Sequence, residues 1–398
     1  MVATPFKPKV YETCQFLGEI YVVQPHPASP TRVYAQMGGR GRVFQLKHQR
    51  NGQLWALKVF HPRYRVASLV TTAQQLSSVA SYEGLRAANR RVVHASDPIV
   101  SAHPDLAYAM IMPWIKGKTW YDFLINAASS GSPFSLAISL QLCKRFLEVL
   151  ASLEQSGIAH TDLSPGNVVM ELSSCDVQLL DLEELYMPGS VNSRVAMGSK
   201  GYRHPSGDVD KQNFWRAEGD RYAAAVLAAE ILVLSNNSLA RRSTDEGFFT
   251  DHRLSTQGGN RFGEAKAWLF KVAPTFASVF ERAWTANTIE ACPRVVELYA
   301  SVREAVAKAP LPYQFNAGVS AQITPTYDFV QWHPQVPKTT QPVKVVRVKQ
   351  ELDQQTPSLP EKRTEQESLA LAVLLVAAGG LVVGFIVLIL IWLLASLF

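Results

Sequence analysis

Residues 160–167 read HTDLSPGN, and how this stretch is read decides the rest of the chain. Upstream, apolar residues at helical spacing run from Leu140 to Leu153 and stop at Gly157. Downstream, Val168-Val169-Met170 is a β-branched run, and a second one, Val177-Gln178-Leu179-Leu180, delivers Asp181. Asp162, Asn167 and Asp181 therefore fall at the ends of short predicted strands. Phosphoryl transfer needs such a set, with one acid to orient or deprotonate the attacking hydroxyl and an acid plus an amide to hold Mg²⁺. The same residue types also serve ordinary turns. Eight residues alone leave both readings open.

The stretch upstream narrows the choice. From residue 31 the pattern is that of strands: Arg32 to Ala35, then a turn at 37–42 (MGGRGR), then Val43 to Lys47. Asn51-Gly52 between apolar runs is a hairpin signal, and it leads into Leu54 to Phe60. Gly38, Gly39 and Gly41 carry no side chains, so their backbone N–H groups can approach a polyphosphate closely. Lys58 lies on that third, otherwise apolar strand, where its charge must find a partner. A helical segment is predicted over Ala73 to Arg90. It holds Glu83, the one acidic residue between Lys58 and Asp97 and hence the candidate partner. Tyr108 to Met112 reads as a further strand, and a helix is expected to begin near Thr119. The shift from strand to helix sets a boundary near residue 115, and a cleft between two lobes suits a nucleotide.

These pieces, in this order, resemble the eukaryotic-type protein kinase superfamily over roughly residues 31 to 305. They are the glycine turn with Val43, the strand lysine in WALK, a helix glutamate, HTDLSPGN and LLDLE. The resemblance implies an α+β bilobal fold, with a small antiparallel sheet lobe at about 31–115 and a larger helical lobe at about 116–308. It implies ATP as substrate and Mg²⁺ as metal. Asp162 would take the substrate hydroxyl, Lys58 would meet the α/β-phosphates and pair with Glu83, and Asn167 and Asp181 would hold the metal. Met112 would be the gatekeeper and Pro113 to Ile115 the hinge. The nucleotide would thus be lined by Gly38, Gly39, Gly41, Val43, Ala56, Lys58, Glu83, Met112, Trp114 and Ile115. GSKGYRHPS (198–206) looks like the end of an activation segment, and residues 219–233 look like the long buried helix of the large lobe, opening with Asp220.

The departures are as informative. Gln36 stands at the first glycine position, Thr161 replaces the usual Arg before the catalytic Asp, and Ser164 replaces a Lys. Leu182 and Glu183 replace Phe and Gly after the metal Asp. Ser206 and Cys292 stand where a buried Glu–Arg ion pair is usual. Losing one half of such a pair would strand a buried charge at a cost of roughly 3–5 kcal/mol, so a joint loss is the consistent variant.

The remainder of the 398 residues frames this domain. Residues 1–30 read as a leader packing on the first sheet. Residues 309–367 read as a Pro-rich linker, whose aromatic residues Phe315, Tyr327, Phe329 and Trp332 are candidates to dock on the large lobe. From Ser368 to Phe398 no residue is charged, which predicts a transmembrane helix, since about 20 apolar residues suffice to span a bilayer. Basic residues before it (Lys344, Arg347, Lys349, Lys362, Arg363) place the domain on the cytoplasmic side of a single-pass anchor. Gly380 and Gly384 have a spacing that lets two such helices approach as a homodimer. Four cysteines without a CxxC pair suggest a reducing compartment and no structural zinc, and a net charge of +6 demands no nucleic acid. The expected partners are a protein substrate and the lipid bilayer. Two other readings stand beside the membrane-anchored Ser/Thr kinase: a pseudokinase adaptor without turnover, and a kinase-fold small-molecule phosphotransferase.

Overall fold

The computed structural model describes residues 4–189, 198–206, 214–244, 247–249 and 261–308. The predicted linker, the apolar run at 368–398 and the Gly380/Gly384 pair lie outside them. Among the described residues no helix is long and apolar enough to cross a membrane.

The N-terminal half is built on a seven-stranded antiparallel sheet. It takes in β1 (Thr13–Phe16), β2 (Glu19–Val23), β5 (Ala35–Gly38), β6 (Gly41–His48), β7 (Leu54–Phe60), β8 (Arg91–Val92) and β9 (Met110–Pro113). Its order is β1-β2-β6-β7-β9-β8, with β5 also on β6. The small hairpin β3 (Pro25–His26) and β4 (Ser29–Val33) stands apart from it. Residues 13–16 and 19–23, expected within a leader packing on the sheet, form part of it. Cys14, Phe16, Tyr21 and Val23 alternate inward, so β1 and β2 are strands of the sheet itself. The β6–β7 turn forms where predicted: Gly52 takes φ +71° and the Asn51 carboxamide oxygen accepts from the Gln53 N–H at 3.0 Å.

Strand periodicity divides the sheet into two faces. Leu57, Phe44, Leu46 and Ile111 pack with Phe6, Phe16 and Tyr21 on one side. Directly opposed residues on paired strands share a face, and the register sets Val43 against Lys58 and Ala56 against Met112. These four side chains therefore line the other face.

Helix α1 (Ser68–Ser77) is shorter than the helix expected over 73–90, and Glu83 falls in a turn. Two causes act together. The Ser77 and Ser78 hydroxyls donate to the Gln74 and Gln75 carbonyls, competing with the helix ladder. Gly84 then takes φ +81°, where a Cβ would come within 2.3 Å of the Val149 side chain. The short α2 (Pro98–Ala102) follows.

Beyond Pro113 the chain becomes mostly helical. Thr119 and Asp122 form a reciprocal capping box that starts α3 (Trp120–Ser130). Ser135 caps α4 (Leu136–Gln155), which ends at Gly157 with φ +71°. β10 (Lys118–Thr119), β11 (Val168–Glu171) and β12 (Asp176–Leu179) form a small sheet, and the 160–167 stretch leads into β11. In α5 (Arg221–Val233) every residue from Tyr222 to Val233 is buried, as a helix apolar all round requires. The short α6 (Asn237–Ala240), then α7 (Arg261–Val272), α8 (Pro274–Trp284) and α9 (Val295–Lys308) complete the helices.

Candidate active site

The HTDLSPGN stretch is held by backbone bonds that its sequence makes necessary. Asp220, at the start of α5, accepts the N–H groups of His160 at 2.5 Å and Thr161 at 2.8 Å. Two consecutive buried N–H groups need such an acceptor, because the chain there leaves regular structure. Thr161 sits at φ +66°, an uncommon region for a β-branched residue, and its hydroxyl donates to the Glu184 carbonyl at 2.7 Å. The His160 ring lies 2.6 Å from the Leu180 carbonyl, which ties the loop to the strand that delivers Asp181. Leu180 N–H donates to the Asn167 carbonyl at 2.9 Å. The 160–167 stretch and the Asp181 segment are thus one hydrogen-bonded unit.

Lys58 reaches this unit from β7. Its Nζ lies 2.7 Å from Asp181 Oδ1 and 3.2 Å from Glu183 Oε1, with only 4% of the side chain exposed. Glu183 also takes Arg90 Nη1 at 3.1 Å, and the Arg90 side chain is fully buried. Burial alone would raise the Glu183 pKa, but Lys58, Arg90 and Arg40 outweigh it and hold the carboxyl well below the usual range. The partner expected for Lys58 is therefore not the one it has. Glu83, about half exposed, pairs with Arg145 on α4 instead. Once α1 ends at Ser77 and Gly84 redirects the chain, Glu83 is carried onto the helical side, away from β7. Arg90 and Glu183 escaped the sequence reading. Glu183 was visible there only as a departure after Asp181, and nothing in the local pattern around Arg90 marks it.

The glycine turn has two functions. Gly41 is required by packing, since a Cβ there would sit 2.2 Å from the Val59 carbonyl oxygen. Gly39 has open space around its Cα, leaving its backbone approachable. Between them Arg40 reaches down to ion-pair with Glu184 and comes within 3.9 Å of Asp162 Oδ2. The turn at 37–42 thus already touches the 160–167 stretch.

The donor chemistry fits a magnesium ion completed by phosphate oxygens. Asn167 Nδ2 donates to the Asp162 carbonyl at 2.8 Å, which turns its carboxamide oxygen outward as an acceptor. Asp181 uses Oδ1 for Lys58 and keeps its side chain about one-third exposed. One carboxylate and one amide oxygen suit Mg²⁺, which retains water and phosphate ligands. No cluster of three or more His, Cys, Asp or Glu able to hold a metal occurs among the described residues.

Asp162 accepts the Ser199 hydroxyl at 2.8 Å, so the start of the 198–206 segment lies beside Asp162. Where a Glu–Arg pair is usual, Ser206 bonds His204 at 2.8 Å, the other His204 nitrogen lies 3.1 Å from the Ala286 carbonyl, and the Cys292 thiol faces the Ala283 carbonyl. On the Lys58 face of the sheet, Ala56 and Met112 are buried in one core with Ile115, and Val43 and Trp114 pack against it. Trp114 N–H donates to the Leu54 carbonyl, and its ring lies 5.2 Å from that of Tyr34.

No protein-family model matches the chain. It is 30% identical over 129 residues to a probable serine/threonine-protein kinase of Saccharomyces cerevisiae, covering 30% of this chain and 34% of that protein. It is 24% identical over 203 residues to a probable serine/threonine-protein kinase of Bifidobacterium longum, with 49% and 25% covered. A dual specificity protein kinase of Schizosaccharomyces pombe is 26% identical over 188 residues, with 42% and 26% covered. The chain thus spans about a quarter to a third of the length of these relatives. A crystal structure described as a kinase domain superposes with a TM-score of 0.47 at 14% identity, covering 74% of this chain and 97% of that one. The chain is, in part of its length, similar in sequence to protein kinases.

Proposed function

We propose that this chain is an ATP-dependent protein kinase acting on Ser or Thr hydroxyls, tethered to a membrane by residues 368–398. The observation that carries the reading is the meeting of Lys58 with Asp181, 123 residues apart, across 2.7 Å. Phosphoryl transfer of this kind needs a lysine at the phosphates close to the acid that holds the metal, and the fold brings these two residue types together. Lys58 would bind the α/β-phosphates, while the N–H groups around Gly39 would cover them. Val43, Ala56, Met112 and Ile115 would enclose the adenine. Asn167 and Asp181 would hold Mg²⁺, which when bound neutralises charge on the β- and γ-phosphates. Asp162 would accept the proton of the attacking hydroxyl; its bond from Ser199 supports this, because a hydroxyl already donates there at 2.8 Å.

The test is transfer from Mg-ATP to the chain itself or to a generic Ser/Thr substrate. Asp162→Ala should lower the rate by roughly 10²–10⁴-fold, the usual contribution of a positioned base. An adaptor without turnover is the second reading, favoured by Arg40, which bridges to Glu184 beside Asp162. Nucleotide binding with no Asp162-dependent transfer in any metal would decide for it. The tether is checked separately: deleting 368–398 should release the protein from carbonate-washed membranes, and retention of the deleted form would sink that part of the proposal.

A further inference from the structure

Helix α1, which packs beside β8 and the Leu182–Glu184 turn, contains no acidic residue. A buried lysine on β7 nevertheless requires a carboxylate. We infer that Glu183, on the turn that follows Asp181, is the residue that positions Lys58 for nucleotide, a task that rests on the kinase reading above. Its Oε1 lies 3.2 Å from Lys58 Nζ and 3.1 Å from Arg90 Nη1, with 6% of the side chain exposed. Arg90 is itself fixed, its Nε donating to the Ala87 carbonyl at 2.7 Å and its Nη1 lying 3.1 Å from the Met110 sulfur. Glu83 is occupied by Arg145.

The consequence is a change in what controls the site. A lysine oriented from a separate helix can be released by moving that helix. Here the orienting acid and the metal acid lie two residues apart on one short turn, so they are set together. That turn is in turn fixed by the Thr161 hydroxyl on the Glu184 carbonyl and by Arg40 on the Glu184 side chain. Repositioning α1 alone would leave Lys58 with its partner.

The experiment compares the full chain with Glu183→Gln, Glu183→Asp and Glu83→Gln. It measures the affinity for a fluorescent ADP analogue without metal, and kcat and KM for ATP. Glu183→Gln should weaken the analogue roughly tenfold, as expected from misdirecting one charged hydrogen bond. It should lower kcat/KM on the order of 10²-fold through misplacement of the phosphates. Glu183→Asp should recover part of both, and Glu83→Gln should match the wild type in both. Wild-type behaviour of Glu183→Gln, or the loss appearing in Glu83→Gln instead, overturns the inference. Should Glu183→Gln not fold, a crystal structure of the wild-type chain with ADP decides: Lys58 within ion-pair reach of Glu183 upholds it, and Lys58 on any other residue ends it. If the wild type transfers no phosphate, the kinase reading fails, while the affinity and crystal measurements still rule on Glu183.

Discussion

Two buried glutamates, Glu183 and Glu230, solve the same problem in opposite ways. Glu183 sits at the cleft between two cations, Lys58 at 3.2 Å and Arg90 at 3.1 Å. Glu230, on α5 and fully buried, has only neutral donors among the described residues. They are the Trp120 indole at 3.0 Å, the Tyr202 hydroxyl at 3.1 Å and the Phe248 and Phe249 N–H groups at 2.6 and 3.4 Å. Burial raises the Glu230 pKa to about 7 against the pull of those donors, whereas the cations overcome burial at Glu183. The carboxyl that stays ionised is given opposite charge. A carboxyl that ties the 198–206 segment to the helical core through Tyr202 needs only hydrogen bonds.

The comparison breaks most forcibly at Arg90. Arg90→Leu removes one of the two cations in ion-pair contact with Glu183 and the donor to the Ala87 carbonyl. Removing one member of a buried ionic cluster costs roughly 3–5 kcal/mol. Denaturant unfolding should therefore show a large fall in stability at neutral pH. A midpoint unchanged from wild type would mean that the cations do not hold Glu183, and the two glutamates would cease to differ in kind.

How much of this was legible beforehand follows from where the determinants lie. The β6–β7 hairpin, the capped start of α3 and the all-buried α5 are local patterns, written in Asn51-Gly52, in Thr119 with Asp122, and in an apolar run opened by Asp220. Lys58, Asp162 and Asp181 were marked by residue type and neighbours, and the structure gathers them in one place. The partner of Lys58 was not legible. Spacing pointed to Glu83 because it is the one acid in the helical stretch, but that choice assumed a helix through 73–90. The serine pair at 77–78 and the positive φ of Gly84 stop it early. Arg90 and Glu183 meet across 93 residues through tertiary packing, which no window of sequence encodes. The strands at 13–16 and 19–23 were missed for a related reason. β2 pairs with β6, reached only after an intervening hairpin, and β1 joins the sheet through β2.

The second break is at Glu230, and it is smaller and depends on pH. In the unfolded chain this carboxyl takes up its proton near 4.5, and in the folded protein near 7. Between those values the folded state holds more protons, so stability must fall as pH rises. The contribution is fully present below about pH 4.5 and is lost by about pH 7, a swing on the order of 3 kcal/mol for a shift of this size. Glu230→Gln removes the titrating group while retaining an acceptor for Trp120 or Tyr202, at the cost of presenting an amide N–H₂ to donors. Its stability should be lower than wild type at pH 5, and the gap should narrow as pH approaches 7. The measurement is the unfolding midpoint of both proteins across that interval. Parallel profiles would show that Glu230 is already ionised in the folded protein at pH 5. The neutral donors would then stabilise its charge as well as Lys58 and Arg90 stabilise that of Glu183.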